Sequence, residues 1–229
     1  ILFYPETTNS LSTGSPGGKT GSPVDNTDCM ECHGVLTTTS ALTSITSNIP
    51  SSGYVPGTVY TITATLNPLS TLNGFEVTCE ENNTNLKTGT FFITNANETQ
   101  LVNNGDAVTH TAGGNNLTTW SFDWEAPVAG TGGVTFFGAF IEAGYPIGAN
   151  FSDYFSSATL NVSEFSPPLQ LTFVPDDNFE NYLELIGVGN GVWGDDYVVT
   201  TNIATLTTLN ISNMNITDLT GLEDFSSLV

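Results

Sequence analysis

The run Cys29-Met30-Glu31-Cys32-His33 holds two of the three cysteines and one of the two histidines of this chain. Two thiols at this spacing can form thioether bonds to the vinyl groups of a haem, and the residue that follows can place an imidazole on the iron. The pattern therefore predicts a covalently attached haem c, with Cys29 and Cys32 as the attachment points and His33 as the first axial ligand.

The second axial ligand must come from elsewhere in the chain. His110, in Val108-Thr109-His110-Thr111, is the first candidate, because it ends an apolar segment that is typical of a strand. Met214 is the next candidate, followed by water or an open position. If His33 and His110 both bind the iron, small ligands are excluded, and one-electron transfer by a single bis-histidine haem is the expected activity.

Three other interpretations of the motif remain open. Either Cys29 or Cys32 can form a disulfide with Cys79, or the two can pair with each other. A zinc ion would need Cys29, Cys32, His33 and His110 to converge as a closed tetrahedral set. Both histidines can also serve only as hydrogen-bonding groups in loops.

The charge of the chain excludes several partners. Two basic residues, Lys19 and Lys87, stand against 23 acidic ones, so the net charge is −21. Such a chain repels phosphate backbones and acidic lipid headgroups, and we expect neither nucleic-acid binding nor a membrane-surface role. No run reaches the roughly 18 apolar residues of a membrane span, so direct insertion into a membrane is not expected.

The remaining composition favours an exported binding or electron-transfer protein and not an enzyme. Charged residues are only 11% of the chain, so the polar surface consists mainly of Thr, Ser, Asn and Gly. No hydrolase motif is present. The adjacent carboxylates Glu80-Glu81, Asp176-Asp177 and Asp195-Asp196 are expected to be solvated, because neighbours on a strand face opposite ways, with calcium binding as an alternative. Seven Asn-x-Ser/Thr triplets are glycan acceptors in a suitable host, starting at Asn82, Asn97, Asn116, Asn150, Asn161, Asn210 and Asn215.

Alternation of apolar and polar residues predicts strands from Tyr54 onward. In Tyr60-Thr61-Ile62-Thr63-Ala64-Thr65-Leu66 every second residue is apolar, so one face points to a core and the other to water. Similar segments recur at 75–79, 120–124 and 158–162. Turn signals, including Asn-Gly at 73–74 and 104–105, separate these segments. The pattern predicts an all-β fold, an immunoglobulin-like antiparallel sandwich.

The two ends of the chain have different patterns. Residues 1–28 have the composition of an irregular arm, and the sandwich with the Cys-x-x-Cys-His motif is predicted to span 29–164. A proline-rich linker follows at 165–170. From Leu206 to Leu228, apolar residues recur at leucine-rich-repeat spacing, so residues 171–229 are predicted to be a partial repeat segment of a longer protein.

Several segments resemble a known family, the reelin N-terminal or Reeler domain. The residues that carry the resemblance are Ser52-Gly53-Tyr54-Val55-Pro56-Gly57-Thr58-Val59-Tyr60, Gly74-Phe75-Glu76, Thr109-His110, Trp120-Ser121-Phe122-Asp123-Trp124-Glu125-Ala126-Pro127 and Gly132-Gly133-Val134-Thr135-Phe136. The stretch 17–34, which includes the Cys-x-x-Cys-His motif, looks like the bacterial, choice-of-anchor version. Segments at 175–180 and 216–222 are similar to leucine-rich parts of proteins exported by the type IX route.

The resemblance implies an immunoglobulin-like sandwich on a protein at the outer cell surface. Animal Reeler domains are adhesion or matrix modules without haem, so a disulfide-stapled, non-haem adhesion module is the alternative to a cytochrome. What the animal pattern lacks is the complete Cys-x-x-Cys-His, and this departure favours haem. A redox partner or self-assembly into a larger surface structure is expected with haem. A carbohydrate-binding sandwich is a third interpretation, with Tyr145, Phe151 and Tyr154 as its aromatic surface.

Overall fold

The computed structural model describes residues 11–33, 37–38, 43–67, 72–143 and 153–229. The chain divides into two compact units, Ile1–Ser166 and Pro167–Val229. Within the described residues, no helix is long and apolar enough to cross a membrane.

The first unit is built from two β-sheets. Its elements are α1 (Met30–His33), β1 (Thr37–Thr38), β2 (Ser44–Ser47), β3 (Val59–Thr65), β4 (Leu72–Glu81), β5 (Thr90–Phe92), β6 (Thr99–Val102), β7 (Ala107–His110), β8 (Thr119–Glu125), β9 (Val134–Ala143) and β10 (Tyr154–Val162), with a 3-10 turn at Asn103–Gly105. The larger sheet has the order β1-β10-β9-β4-β7-β6 and the smaller one β2-β3-β8-β5. All pairs are antiparallel except β1 with β10.

The predicted alternation is what builds the core. In β8 the side chains of Trp120, Phe122 and Trp124 are fully buried between the sheets, whereas Thr119 and Ser121 are exposed. Strand β3 pairs with β8 along its whole length and shows the same alternation. The all-β antiparallel sandwich predicted from the sequence is therefore confirmed.

Strand β4 differs because both of its faces are buried. Phe75, Val77 and Cys79 point into the sandwich core, and the alternate residues Glu76 and Glu80 are no more than 1% exposed on the outer face. The N-terminal arm covers that outer face, as its contacts with Glu76 show. The Ser15 hydroxyl and the Lys19 backbone N–H both donate to the Glu76 carboxylate. The arm is irregular, but between residues 11 and 28 it is held against the sheet.

One predicted turn is wrong. Asn73-Gly74 lies inside β4, where Gly74 pairs with Ile141 of β9. Glycine is needed there for another reason, because a Cβ atom on Gly74 would come within 2.6 Å of Cε1 of His110. The other predicted turn, at 104–105, is confirmed by the left-handed backbone of both residues.

The second unit contains more helix than the sequence pattern suggested. Its elements are β11 (Leu171–Phe173), α2 (Asp177–Leu185), β12 (Tyr197–Val199), α3 (Thr200–Ile203) and a 3-10 turn at Leu222–Asp224, with β11 and β12 paired antiparallel. The prediction that Asp176-Asp177 is a solvated pair on a strand is wrong. Asp176 is only 8% exposed and caps α2 by accepting from the backbone N–H groups of Asn178 and Phe179.

The periodic apolar residues of the predicted repeat pack together in this unit. Leu206, Leu209, Ile211 and Ile216 contact the cluster that includes Phe179. Between residues 204 and 229, all of which are described, the backbone forms turns and one 3-10 turn but no strand. The repeat fold itself stays a prediction.

Candidate functional site

The Cys-x-x-Cys-His motif lies on the outer face of the larger sheet. Cys29 is followed at once by the one-turn helix α1, which ends at His33. Cys29 and Met30 pack against a small apolar cluster on that face, formed by Ala139, Ile141 and Phe155. The motif is therefore supported by β9 and β10, on the side of the sheet opposite to the sandwich core.

A cavity beside the motif brings the predicted site residues together. Cys29, Cys32, His33 and His110 all line one partly open space of about 760 Å³, which includes its opening to solvent. The apolar part of the wall comes from Leu11, Leu72, Phe75, Ile141 and Ala143. As in cofactor sites, the wall is mostly apolar and carries a few polar groups. The part of this space that the centre of a water-sized sphere can enter is about 90 Å³.

His33 is held by a carboxylate that the sequence pattern did not reveal. Its Nδ1 donates to Oδ2 of Asp153 at 2.7 Å, and the Asp153 side chain is fully buried. Because a carboxylate can only accept, the ring proton lies on Nδ1 and the lone pair of a neutral ring lies on Nε2. A carboxylate behind a ligand histidine fixes the ring and raises its basicity toward a metal.

His110 has a different environment. It ends β7, is only 7% exposed, and its ring lies against the backbone of Gly74. Burial lowers the pKa of His110 to about 4, so the ring is neutral at neutral pH. The backbone N–H of Phe75 donates to its Nδ1 at 3.3 Å, which places the proton of the neutral ring on Nε2.

The three cysteines are unpaired. Cys79 faces the sandwich core, whereas Cys29 packs on the opposite face of the same sheet, so this fold does not allow a disulfide between them. Burial, with the nearby Glu76 carboxylate, raises the pKa of the Cys29 thiol. Among the described residues, no three of the four proposed zinc ligands come within 4.8 Å of one another, which argues against the zinc interpretation.

The acidic pairs fall into two groups. Glu80 was predicted to be solvated, which is wrong, because its side chain is buried. It forms an ion pair with Lys87. In the second unit, carboxylate oxygens of Asp177, Glu180 and Asp196 lie within 4.8 Å of one another, in line with the calcium alternative. Glu180 is fully buried and already accepts from backbone N–H groups of residues 194–196, so it has a sufficient structural role in holding that loop.

The other predicted surface features have mixed outcomes. Six of the seven glycan acceptor asparagines lie in the described residues and are exposed, and the seventh, Asn150, lies outside them. Tyr145 and Phe151 of the predicted carbohydrate surface also lie outside the described residues. Tyr154 begins β10 and is 36% exposed. Met214, the second candidate for the distal ligand, lies in the second unit.

The residues present fit a covalent haem on one side better than on the other. On the proximal side, two cysteines precede a histidine whose Nε2 is available and whose Nδ1 is held by Asp153. On the distal side, His110 faces the same cavity as a neutral ring. For His110 to bind a metal through Nε2, the ring must release the Phe75 amide and carry its proton on Nδ1.

Comparison with known proteins finds a family match within the first unit. The Reeler domain family matches residues 27–145. The human F-spondin reeler domain (fragment 1) is 27% identical, with 58% of this chain and 94% of that chain covered and a TM-score of 0.45. The Reelin-N domain of F-spondin is 26% identical over 60% of this chain and 96% of that one, with a TM-score of 0.46. The bacterial hydrophobin BslA is 17% identical over 57% of this chain and 99% of that chain, with a TM-score of 0.32. A search of curated proteins gave no match.

Proposed function

Because this chain belongs to the Reeler family, whose domains are non-catalytic modules of an extracellular type, we propose that it is an exported cell-surface protein that carries one covalently attached haem. The observation that carries the proposal is the convergence of Cys29, Cys32, His33 and His110 on a single, largely apolar cavity. These four are the residues that the sequence predicts as the attachment points and ligands of a haem. A haem bound there supplies reversible one-electron chemistry.

The protein's own groups have distinct tasks in this proposal. Cys29 and Cys32 provide the covalent attachment, and His33 provides the proximal nitrogen, oriented by Asp153. The apolar wall limits the access of water. His110 would be the second protein ligand of the iron, and two protein ligands would favour electron transfer over the binding of small molecules.

The negative charge of the chain suits a cationic redox partner. The net charge is −21, and the two lysines are both engaged in ion pairs. Electrostatic attraction of this kind speeds encounter more than it strengthens the final complex. We also infer that the second unit carries leucine-rich repeats, on the apolar spacing from Leu206 to Leu228. The resemblance of the segments at 175–180 and 216–222 to leucine-rich parts of type IX-exported proteins suggests that route of export.

A non-haem extracellular adhesion module is the second candidate. It is favoured by the contacts of the two histidines, which are satisfied without a metal: His33 by Asp153, and His110 by the Phe75 amide. In this case the histidines stabilise the fold, and Cys29 and Cys32 remain thiols or close on each other.

One experiment separates the two candidates. The protein is produced with an export signal in a host that matures c-type cytochromes, and its absorbance is recorded before and after reduction with dithionite, together with its intact mass. A Soret band, sharp bands on reduction and the added mass of one haem are expected. A colourless protein with the mass of the bare chain would overturn the haem proposal and leave the adhesion module.

Cysteine variants localise the attachment. Replacing both Cys29 and Cys32 by Ala should abolish the covalent mass. Cys79→Ala is the matched control, because it also removes a thiol but on the core side of β4, and it should keep the full haem mass. His110→Ala should keep the covalent mass and change only the position of the bands. Unchanged bands would exclude His110 as the distal ligand.

A further inference from the structure

A second cluster of reactive groups lies away from the cavity, where the arm meets the end of β4. Glu80 and Lys87 face each other as a bridge pair across the turn that follows β4. The Asp25 side chain reaches this pair from the arm, at a turn between the bridge partners Thr20 and Asp28. The side chains of Asp25, Glu80 and Lys87 are 3%, 1% and 13% exposed, so water has little access to them.

Three oxygens surround the amine of Lys87. Its Nζ lies 2.7 Å from Oδ1 of Asp25, 3.1 Å from Oε1 of Glu80 and 3.3 Å from the hydroxyl of Ser22. The closest of these belongs to a carboxyl group on a segment that is 62 residues away in sequence. The amine is therefore held next to a carboxyl carbon in a largely dry site, the arrangement in which proximity accelerates a condensation most.

The second oxygen of Asp25 is held by hydrogen-bond donors. The backbone N–H of Thr20 donates to Oδ2 at 3.3 Å, and the Thr20 hydroxyl donates to the same oxygen. Negative charge develops on such an oxygen when an amine adds to the carboxyl carbon. Donors already aimed at it stabilise that charge without reorganisation.

Glu80 has no hydrogen bond that explains its burial. Within the described residues neither carboxylate oxygen accepts one, although Oε1 forms the ion pair with Lys87. One cation between two buried carboxylates is an unfavourable arrangement. Three charged groups lose their hydration, but only one positive charge is present to pair with two negative charges. A carboxyl group beside the amine can, however, carry protons between Nζ and Oδ1.

We propose that Lys87 and Asp25 form an intramolecular isopeptide bond, with Glu80 carrying the protons. The ammonium transfers one proton through Glu80 to Oδ1 of Asp25, and Nζ then adds to Cγ while Oδ2 holds the charge beside Thr20. Glu80 carries a second proton from the nitrogen to Oδ1, the bond from Cγ to Oδ1 breaks as the carbonyl re-forms at Oδ2, and Oδ1 departs as water. The ammonium and the carboxylate become one neutral amide and one water, so no oxidant, reductant or other reactant is needed.

The bond would fix the arm to the sandwich covalently. It would close the segment between Asp25 and Lys87 into a ring that includes Cys29, Cys32 and His33. It would also remove two of the three buried charges.

The test uses the unusual scarcity of basic residues. Lys19 and Lys87 are the only sites at which trypsin can cut the denatured chain. An amide on Lys87 blocks the second site, so residues 20–229 should remain one fragment, lighter than expected by one water molecule. Complete cleavage after Lys87 and a full mass would overturn the proposal.

Variants identify the bond and the role of Glu80. Lys87→Arg should restore the lost water and allow cleavage after residue 87. A water loss that persists in this variant would come from dehydration at Asp25 alone and would overturn the bond. Glu80→Gln keeps the shape of the side chain and should leave most molecules uncondensed. Complete condensation in Glu80→Gln would overturn the role assigned to Glu80.

Discussion

The two histidines of this chain occupy opposite kinds of environment around one cavity. His33 is partly exposed and has a buried carboxylate, Asp153, behind it. His110 is buried beneath the arm, and burial lowers its pKa to about 4, so its ring stays uncharged at neutral pH. If both bind iron, His33 is the more basic ligand, and the charge of Asp153 favours the ferric state.

If haem is attached, Asp153→Asn should therefore raise the reduction potential of its iron. The increase is about 60 mV if the carboxylate stabilises ferric over ferrous iron tenfold. A spectroelectrochemical titration measures it. Asp123→Asn is the matched control, since it removes the same charge from the smaller sheet, where Asp123 bonds with Thr61. Equal shifts in the two variants would mean that Asp153 acts only through the net charge.

The sequence suggested the four candidate site residues but not the carboxylate that supports one of them. Cys29, Cys32 and His33 are recognisable by spacing, and His110 by scarcity, since only two histidines are present. Asp153 lies 120 residues from His33, and no local pattern marks it among 23 acidic residues. Its role depends on where β10 begins, which is a tertiary property.

Strand β4 is the element on which both sites depend. It contributes Gly74 and Phe75 to the cavity. It also contributes Glu80 to the cluster of Asp25, Glu80 and Lys87 that is proposed to form the isopeptide bond, called the isopeptide cluster below. Its outer face is polar in sequence but buried in the structure, because the arm crosses it. Alternation predicted the strand at 75–79 and its inward face. It could not predict that the arm covers the outward face, since the arm's hydrogen bonds join residues about 60 apart.

Gly74→Ala should disturb His110 more than any other group. The added Cβ would lie 2.6 Å from Cε1 of the ring, so the imidazole must move. We expect a loss of about 1–3 kcal/mol in the free energy of unfolding, as for other overpacked sites. In a His110→Ala background the same change should cost much less. Denaturant unfolding of the four chains measures this coupling, and additive effects would contradict the contact.

Helix α2 was missed because Asp176-Asp177 was interpreted on a strand. The available signal was Asp176 as an N-cap, followed by Phe179 and Leu183 four residues apart on one face. Asp176 also accepts from the backbone of Thr217 and Asp218 through its second oxygen. These hydrogen bonds, with that of Phe179, lower the pKa of Asp176 to about 2.

The stability of the second unit should therefore fall at acidic pH. Between about pH 2 and the ordinary value of 3.8, the unfolded chain binds more protons at Asp176 than the folded one. The contribution is complete above this window and is lost as the pH falls through it. Thermal unfolding of wild type and Asp176→Asn between pH 2 and 6 should converge at the acidic end. A constant difference would show that the charge of Asp176 is not involved.

The whole molecule consists of two units with separate cores. The first core is centred on Phe75 and Trp120, and the second on Phe179 and Phe225. The sequence indicated this division through the change of pattern around Pro167-Pro168. The spacing could not show how the second unit folds, because repeat units bury their apolar residues against neighbours.

The fragment 1–166 should fold without the second unit. All cavity residues, and all three residues of the isopeptide cluster, belong to it. We expect its absorbance bands, if haem is attached, and its tryptic pattern around Lys87 to match those of the full chain. Circular dichroism and thermal unfolding check the fold. A fragment that shows no cooperative unfolding would contradict the independence of the two cores.

Both lysines of this protein are used to hold the arm in place. Lys19 pairs with Glu31, and Lys87 pairs with Asp25 and Glu80, and their side chains are 20% and 13% exposed. Copies of the chain therefore meet as polyanions with almost no accessible lysine charge to offset the repulsion. Any assembly of like copies should therefore require salt. It should fail in dilute buffer and proceed when added salt shortens the screening length of the charge repulsion to about 10 Å or less.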